Sequence, residues 1–401
     1  MSDPIPSVKI EQEVRAPVMD VFRAFTNSTI LREWLCDVAT VDPKPGGRIY
    51  LWWHSGMYVV GTFNTVETDK EIEFSCKGCR EIAPTTTHIL LTEKPGRTLI
   101  NLTLSGFPEG KEGEELHADI GHRWEKSLKN LVSVMEEGPD LRITSRPMLG
   151  IILDSFNEEV AKKLGVPVTK GMRLAGVVEG MGAQKAGLKK DDIIVEVDGV
   201  PQTEFNDFTT AIHGKVGGDV LNVIFYRGAE KKSLKMELSK RPIPEIPFSG
   251  EKLAAKMKAT ANEVDTELAE IFKGVDDATA SHKPDPEEWS AKETLAHLIH
   301  SERYFCHWIN ELVFSAESAT DTIGDNLSAR IAATVAVYGT VENLLLELKR
   351  NEAETIETLR RLPEEFIARR STFWRMAYWL LTTVEHTRGH YPQIKAALVK
   401  R

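Results

Sequence analysis

Glu385-His386-Thr387-Arg388-Gly389-His390-Tyr391-Pro392-Gln393 decides how the last third of this 401-residue chain is read. Residues four apart on a helix share a face, so a helical reading aims His386 and His390 at a common point. Neutral imidazole is a good ligand for zinc, nickel or iron. Two ligands hold an ion poorly, so a third must come from elsewhere. The best donor is His297, in Ser290-Ala-Lys-Glu293-Thr-Leu-Ala-His297-Leu-Ile-His300-Ser-Glu302. A bare H-x3-H pair is more often two solvated or core histidines than half a metal site. The sequence around both halves tips the reading toward metal.

Working outward, glycine becomes scarce beyond 248 and helix formers dominate. The pattern predicts helices at about 250–274, 291–316, 327–361 and 372–399. Ser290 and Glu293 form a capping box at the second, and Pro363 ends the third. Four long helices suggest an up-down bundle, with a variant that has one longer crossover left open. Glu288-Trp289-Ser290 before Leu295-Ala-His297, with His386-x3-His390-x-x-Gln393, resembles the DinB-like family of metal-dependent four-helix bundles. The resemblance places that family's three-histidine site on His297, His386 and His390, and zinc or nickel is the expected ion. Its relatives include thiol S-transferases and isomerases, which implies a low-molecular-weight thiol as a second cofactor. Three protein nitrogens with open positions is the arrangement of a catalytic metal site. His300 and His307 fit the motif less well, with His300, one turn from His297, the alternative ligand. Glu302, five residues after His297, and Glu385, beside His386, are both off the ligand face, so neither makes a convincing general base.

Upstream, Arg241-Pro-Ile-Pro-Glu-Ile-Pro247 is a stiff linker that cannot continue a strand ladder. Before it, Ala183-Gln-Lys-Ala186-Gly187-Leu188-Lys-Lys-Asp191-Asp192-Ile193-Ile194-Val195-Glu-Val197-Asp198-Gly199 combines glycine turns with a buried strand and an Asp-Gly turn. This run resembles a PDZ domain of the bacterial HtrA type, departing from it at Asp191, where that family usually has glycine. The resemblance implies that a peptide C-terminal carboxylate is received by the N–H groups at Leu149, Gly150 and Ile151. The peptide strand would pair along Ile151, Ile152 and Leu153 and rest against the helix carrying Asp207 and Ala211. The other reading is a rigid spacer. No serine-protease motif accompanies the domain.

Residues 1–140 show an alternating strand at Val8–Val14, short helices from Pro17 and from Asn27 to Leu35, and strand-like runs between Arg48 and Leu104. A long amphipathic helix over Glu114–Met135 closes them. Ala16-Pro17 before Val21-Phe22, Leu31-x-x-Trp34, Pro45-Gly46-Gly47, Gly61 and Trp124 resemble the START-like helix-grip family, in its activator-of-Hsp90-ATPase homologue branch. That fold wraps a sheet around a helix and often holds an apolar ligand between them. Trp52, Trp53, Phe63, Phe74 and Trp124 either line such a cavity or fill a core. The polar run 136–140 reads as a breaker before the next domain.

The expected architecture is therefore multidomain. An α+β helix-grip domain spans 1–140, a mainly-β PDZ domain 141–242 and an all-α DinB-like four-helix bundle 248–401. Lys and Arg total 50 against 60 Asp and Glu, a formal charge of −10, which leaves no electrostatic footprint for nucleic acid. No apolar run approaches the ~20 residues that span a bilayer. Four cysteines, including a lone Cys76-Lys-Gly-Cys79, form no disulfide framework. With no leader-like start, the expected setting is the cytoplasm. The expected function is a multi-module binding protein with an apolar-ligand cavity, a peptide groove and a three-histidine metal site; the alternative is a metal-dependent thiol S-transferase or isomerase.

Overall fold

Strand alternation does what it promises at the start of the chain: β1 (Val8–Val14), an edge of a seven-stranded antiparallel sheet, turns every second side chain inward, half-buried at Val8, Ile10 and Gln12 and fully buried at Val14. After β1 come α1 (Val18–Thr26) and α2 (Ser28–Trp34). A meander follows, of β2 (Val38–Val41), β3 (Arg48–Trp52), β4 (Tyr58–Glu67), β5 (Glu71–Gly78), β6 (Thr85–Lys94) and β7 (Arg97–Ser105), and then α3 (Lys111–Glu136). The order is β1-β7-β6-β5-β4-β3-β2, so β1 closes against the last strand of the meander. Trp34, Phe63, Ile72, Ile100 and Leu128 fill the core between sheet and helices. The sequence reading has no strand at β2. Four residues are too few for an alternation signal, and pairing with β3 is what fixes it.

The computed structural model describes residues 5–81, 83–212, 214–286, 288–320 and 326–399. They divide into two compact units, Met1–Asp140 with Pro244–Arg401, and Leu141–Ile243. The run 136–140, expected as a polar breaker, is packed inside the first unit. Asn130 Nδ2 donates to Asp140 Oδ1 at 3.0 Å, Ser133 Oγ donates to the Pro139 carbonyl at 2.7 Å, and Asp140 is only 4% exposed.

The second unit holds α4 (Leu141–Thr144), β8 (Ile151–Asp154), α5 (Glu158–Leu164), β9 (Met172–Val177), α6 (Gly182–Ala186), β10 (Ile193–Val197), β11 (Val200–Pro201), α7 (Phe205–Ala211), β12 (Val220–Arg227) and β13 (Glu230–Glu237). Its sheet runs β13-β12-β10-β9-β8, with β11 on β10, over a core of Leu174, Ile194, Val197, Leu221 and Met236. Asp191 adopts φ +68°, the left-handed conformation that its short polar side chain tolerates, and accepts from Arg173 Nη2 at 2.6 Å.

The C-terminal half of the first unit is built on α8 (Gly250–Ile271), α10 (Ala291–Val313), α12 (Val341–Arg360) and α14 (Arg370–Gly389). Shorter pieces are α9 (Asp277–Ser281), α11 (Ser328–Tyr338), α13 (Glu364–Ala368) and α15 (Tyr391–Ala397). The capping box forms as expected: Ser290 N–H donates to Glu293 Oε2 at 2.8 Å, and Glu293 N–H to Ser290 Oγ at 3.2 Å. The single helix expected over 327–361 is two, α11 and α12, bent by 110°. Gly339 at φ +72° stops the first, and Thr340 caps the second through Asn343 N–H at 3.1 Å. No single helix among the described residues is long and apolar enough to cross a membrane.

Glu317, in the loop after α10, ties this half to the helix-grip half. Its carboxylate meets Arg375 Nη2 at 2.6 Å, Arg32 Nη1 at 2.8 Å and Trp308 Nε1 at 2.6 Å, and its N–H donates to Thr29 Oγ1 at 2.9 Å. Arg375 and Arg32 together hold this buried carboxylate below the usual range against the opposing effect of burial.

Candidate metal centre

Helix α10 buries Leu295, Leu298 and Ile299, which leaves His297 on the flank facing the end of α14. There, His386 and His390 sit one turn apart. Glu267 on α8 pins this end, accepting from Arg388 Nη2 at 2.8 Å and from the Tyr391 hydroxyl at 2.8 Å. The three imidazoles converge. His386 Nε2 lies 3.2 Å from His297 Nε2 and 3.2 Å from His390 Nε2. A tetrahedral ion with Zn–N bonds of ~2.0–2.1 Å sets its nitrogen ligands ~3.3–3.4 Å apart, so the spacing fits one ion. Among the described residues this is the one group of three or more His, Cys, Asp or Glu donors placed to hold an ion.

Two carboxamides complete the arrangement. Asn326 Oδ1 stands 2.9 Å from His297 Nδ1, and Gln393 Oε1 stands 2.8 Å from His390 Nδ1. An amide oxygen only accepts, so each Nδ1 carries the proton and each Nε2 turns a lone pair inward. Partial desolvation of its ring pushes His386 down to about 4, helped by the neighbouring His390 and His297, and desolvation also lowers His297. The lowered values of His297 and His386 favour their neutral rings, the form that ligates. His386 is exposed while the other two are half-buried, so the point of convergence is open to solvent on one side. The Trp289 ring stands 5.1 Å from that of His297.

His300 is elsewhere, bonded to Thr334 Oγ1 at 2.8 Å inside the bundle. His307 is exposed, 3.5 Å from Glu311. Gln393 stands in the sequence motif with no role assigned to it there. Asn326 is absent from the sequence reading, since it is a loop residue with no periodicity to mark it.

Of the other residues singled out from sequence, Phe63 and Phe74 pack edge-on at 6.0 Å within the core, and Trp124 tilts against Trp34 at 6.4 Å. Trp53 Nε1 donates to the Leu35 carbonyl at 2.8 Å, and Trp52 lies against His54. Cys76 is half-buried, and desolvation pushes its thiol up to about 12. In the second unit β8 lies at the sheet edge, with Ile152 51% exposed. Gly150 is at φ +75°, and a Cβ there would collide with the Met181 side chain. Leu149 is buried, Ile151 and Leu153 are half-buried, and Ala211 is in the core. The Asp207 carboxylate caps its own helix, accepting from Thr203 and Glu204 N–H at 2.6 and 2.9 Å.

Three family models match the chain in succession. Activator of Hsp90 ATPase homolog 1-like protein covers residues 15–136, PDZ domain 147–238 and DinB superfamily 261–394. The chain joins three modules. Curated relatives include the periplasmic serine endoprotease DegP of Escherichia coli K12, 28% identical over 160 residues, 39% of this chain and 28% of that protein. The serine protease Do-like HtrA of Lactococcus lactis (strain IL1403) is 34% identical over 148 residues, 35% of this chain and 36% of that protein. The chain spans about a third or less of the first such relatives. Among solved structures, the Aha1 dimer from Colwellia psychrerythraea is similar at 16% identity and TM-score 0.31, over 33% of this chain and 98% of that one. An Hsp90 activator from Plasmodium falciparum matches at 26% identity and TM-score 0.27, over 31% and 92%.

Proposed function

We propose that the chain is a multi-module binding protein whose bundle holds a divalent transition metal, zinc or nickel, on His297, His386 and His390. The observation that carries this reading is the convergence of three Nε2 atoms at 3.2 Å spacings, with two of the rings turned by carboxamide acceptors. When bound, such an ion acidifies a water or thiol in its open position. The chain's own part is to keep the rings neutral, orient their lone pairs and leave the His386 side open. Metal content of the purified protein, before and after dialysis against a chelator and re-addition of zinc or nickel, tests it.

The same open side supports a second reading, a metal-dependent thiol S-transferase or isomerase that takes a low-molecular-weight thiol. No carboxylate contacts the triad among the described residues, so that reading needs the bound thiol to lose its proton to solvent. Loss of free thiol on mixing with an electrophile, in metal-loaded against metal-free protein, separates the two. For the middle module, the exposed edge of β8 beside the Leu149-Gly150 turn supports capture of a peptide C-terminus by strand addition.

A further inference from the structure

Where α2 and the end of α3 face Val313–Ser315 and the segment 363–372, the first unit contains a hollow of about 1070 Å3. None of the described sheet strands contributes to its wall, so it is distinct from the gap between sheet and α3. Its floor carries Glu33, 2% exposed, with neither carboxyl oxygen hydrogen-bonded. The Ser371 and Thr372 hydroxyls stand beside it without reaching hydrogen-bond geometry. The two guanidinium groups that act on it from a distance are engaged elsewhere. Arg375 is on Glu317, and Arg369 is on Ser315 Oγ and the Leu312 and Val313 carbonyls.

A buried carboxyl without partners forfeits its hydration with nothing in return, so such groups mark places where a partner is supplied. Burial raises the Glu33 pKa and favours the neutral acid. A carboxylic acid offers an O–H donor beside a C=O acceptor. The complement in one plane is an amide, whose carbonyl accepts and whose N–H donates. A cation there would meet the fields of Arg369 and Arg375, both of which act on Glu33, and an anionic head would accept the O–H but, having no donor, would leave the Glu33 C=O unpaired. The lining is mixed: Ile30, Leu131, Val134 and Phe366 supply an apolar side, and Arg15, Arg23, Glu136 and Arg370 are among the charged residues that complete it.

We propose that this hollow binds a small amphipathic molecule with an amide head, which seats on Glu33 while its apolar body lies along Ile30, Leu131, Val134 and Phe366. The site is independent of the histidine centre and of the peptide groove.

The experiment is calorimetric titration of the full chain with three probes of one body: octanamide, octylammonium and octanoate. Octanamide binds one per chain, and the two ions bind at least about tenfold more weakly, because a site built to exchange two hydrogen bonds rejects a head that cannot. Glu33→Leu weakens octanamide by about tenfold or more, whereas Glu33→Gln, which keeps a donor and an acceptor, stays within about threefold. Ala368→Trp, at an exposed wall position, blocks the hollow without touching the core. The proposal is overturned if octanamide does not bind, if octylammonium or octanoate binds as well or better, or if octanamide binds equally to Glu33→Leu and Ala368→Trp.

Discussion

His297 and His386, 89 residues apart in the chain, bring their Nε2 atoms to 3.2 Å. Two lone pairs at that distance repel unless something positive lies between them, and Asn326 and Gln393 keep the Nδ1 protons of His297 and His390 turned outward. Removing these acceptors frees the rings to rotate. Asn326→Ala and Gln393→Ala are each expected to weaken zinc affinity by about 10–100-fold without changing the ligand set. Competition with a chromophoric chelator measures it, and unchanged affinity in both variants would show that the carboxamides do not orient the rings.

Glu317 joins the helix-grip half to the bundle through Arg32, Arg375 and Trp308. Glu317→Ala leaves two largely buried guanidinium groups without their carboxylate, a loss of about 3–5 kcal/mol. The expected result in urea is an earlier transition of the first unit. A midpoint equal to that of the parent would mean the hub contributes nothing.

Glu302 and Glu352 face a small cavity inside the bundle, and burial pushes them up to about 7 and about 8. Raised carboxyl pKa values mean that the folded state binds protons the unfolded chain has released. The stability they contribute is full below the unfolded pKa of ~4.5 and is lost as pH rises through the folded values. The expected outcome is that Glu352→Gln reduces the loss of stability between pH ~4.5 and ~8. Denaturation midpoints across that range measure it, and parallel curves for variant and parent would count against it.

Gly150 holds φ +75° with Met181 against its α-carbon, so any side chain there is strained and crowded. In the proposed groove a peptide with a free C-terminus binds at least about tenfold better than its amidated twin, and Gly150→Ala abolishes the difference. Fluorescence polarisation with the two peptides reads this. Equal binding of both to the parent would leave the module as a spacer.

What was legible in the sequence was local. The i, i+4 histidines, the Ser290–Glu293 box and the Asp198-Gly199 turn each span five residues or fewer, and each is found, although the helix expected over 372–399 breaks at His390 into α14 and α15. What escaped depends on distance or on loops. Asn326 and Glu317 act from connections that carry no periodicity, and Glu317 finds partners on both halves of its unit. Gly339 lies inside an unbroken helical pattern, and only its positive φ reveals a stop. The run 136–140 looks like a linker because it is polar, yet Asn130 and Ser133 hold it inside. The unbonded acid of Glu33 is invisible until α2 meets the bundle.

The most direct test of the metal centre is elemental analysis of the parent chain and of His297→Ala, His386→Ala, His390→Ala and the control His307→Ala, each dialysed and then offered zinc or nickel. One shared ion predicts about one equivalent in the parent and the control, near zero in each of the three, and a double variant little worse than a single one. Less than about a tenth of an equivalent in the parent after metal addition, or full occupancy in all three single variants, would contradict it.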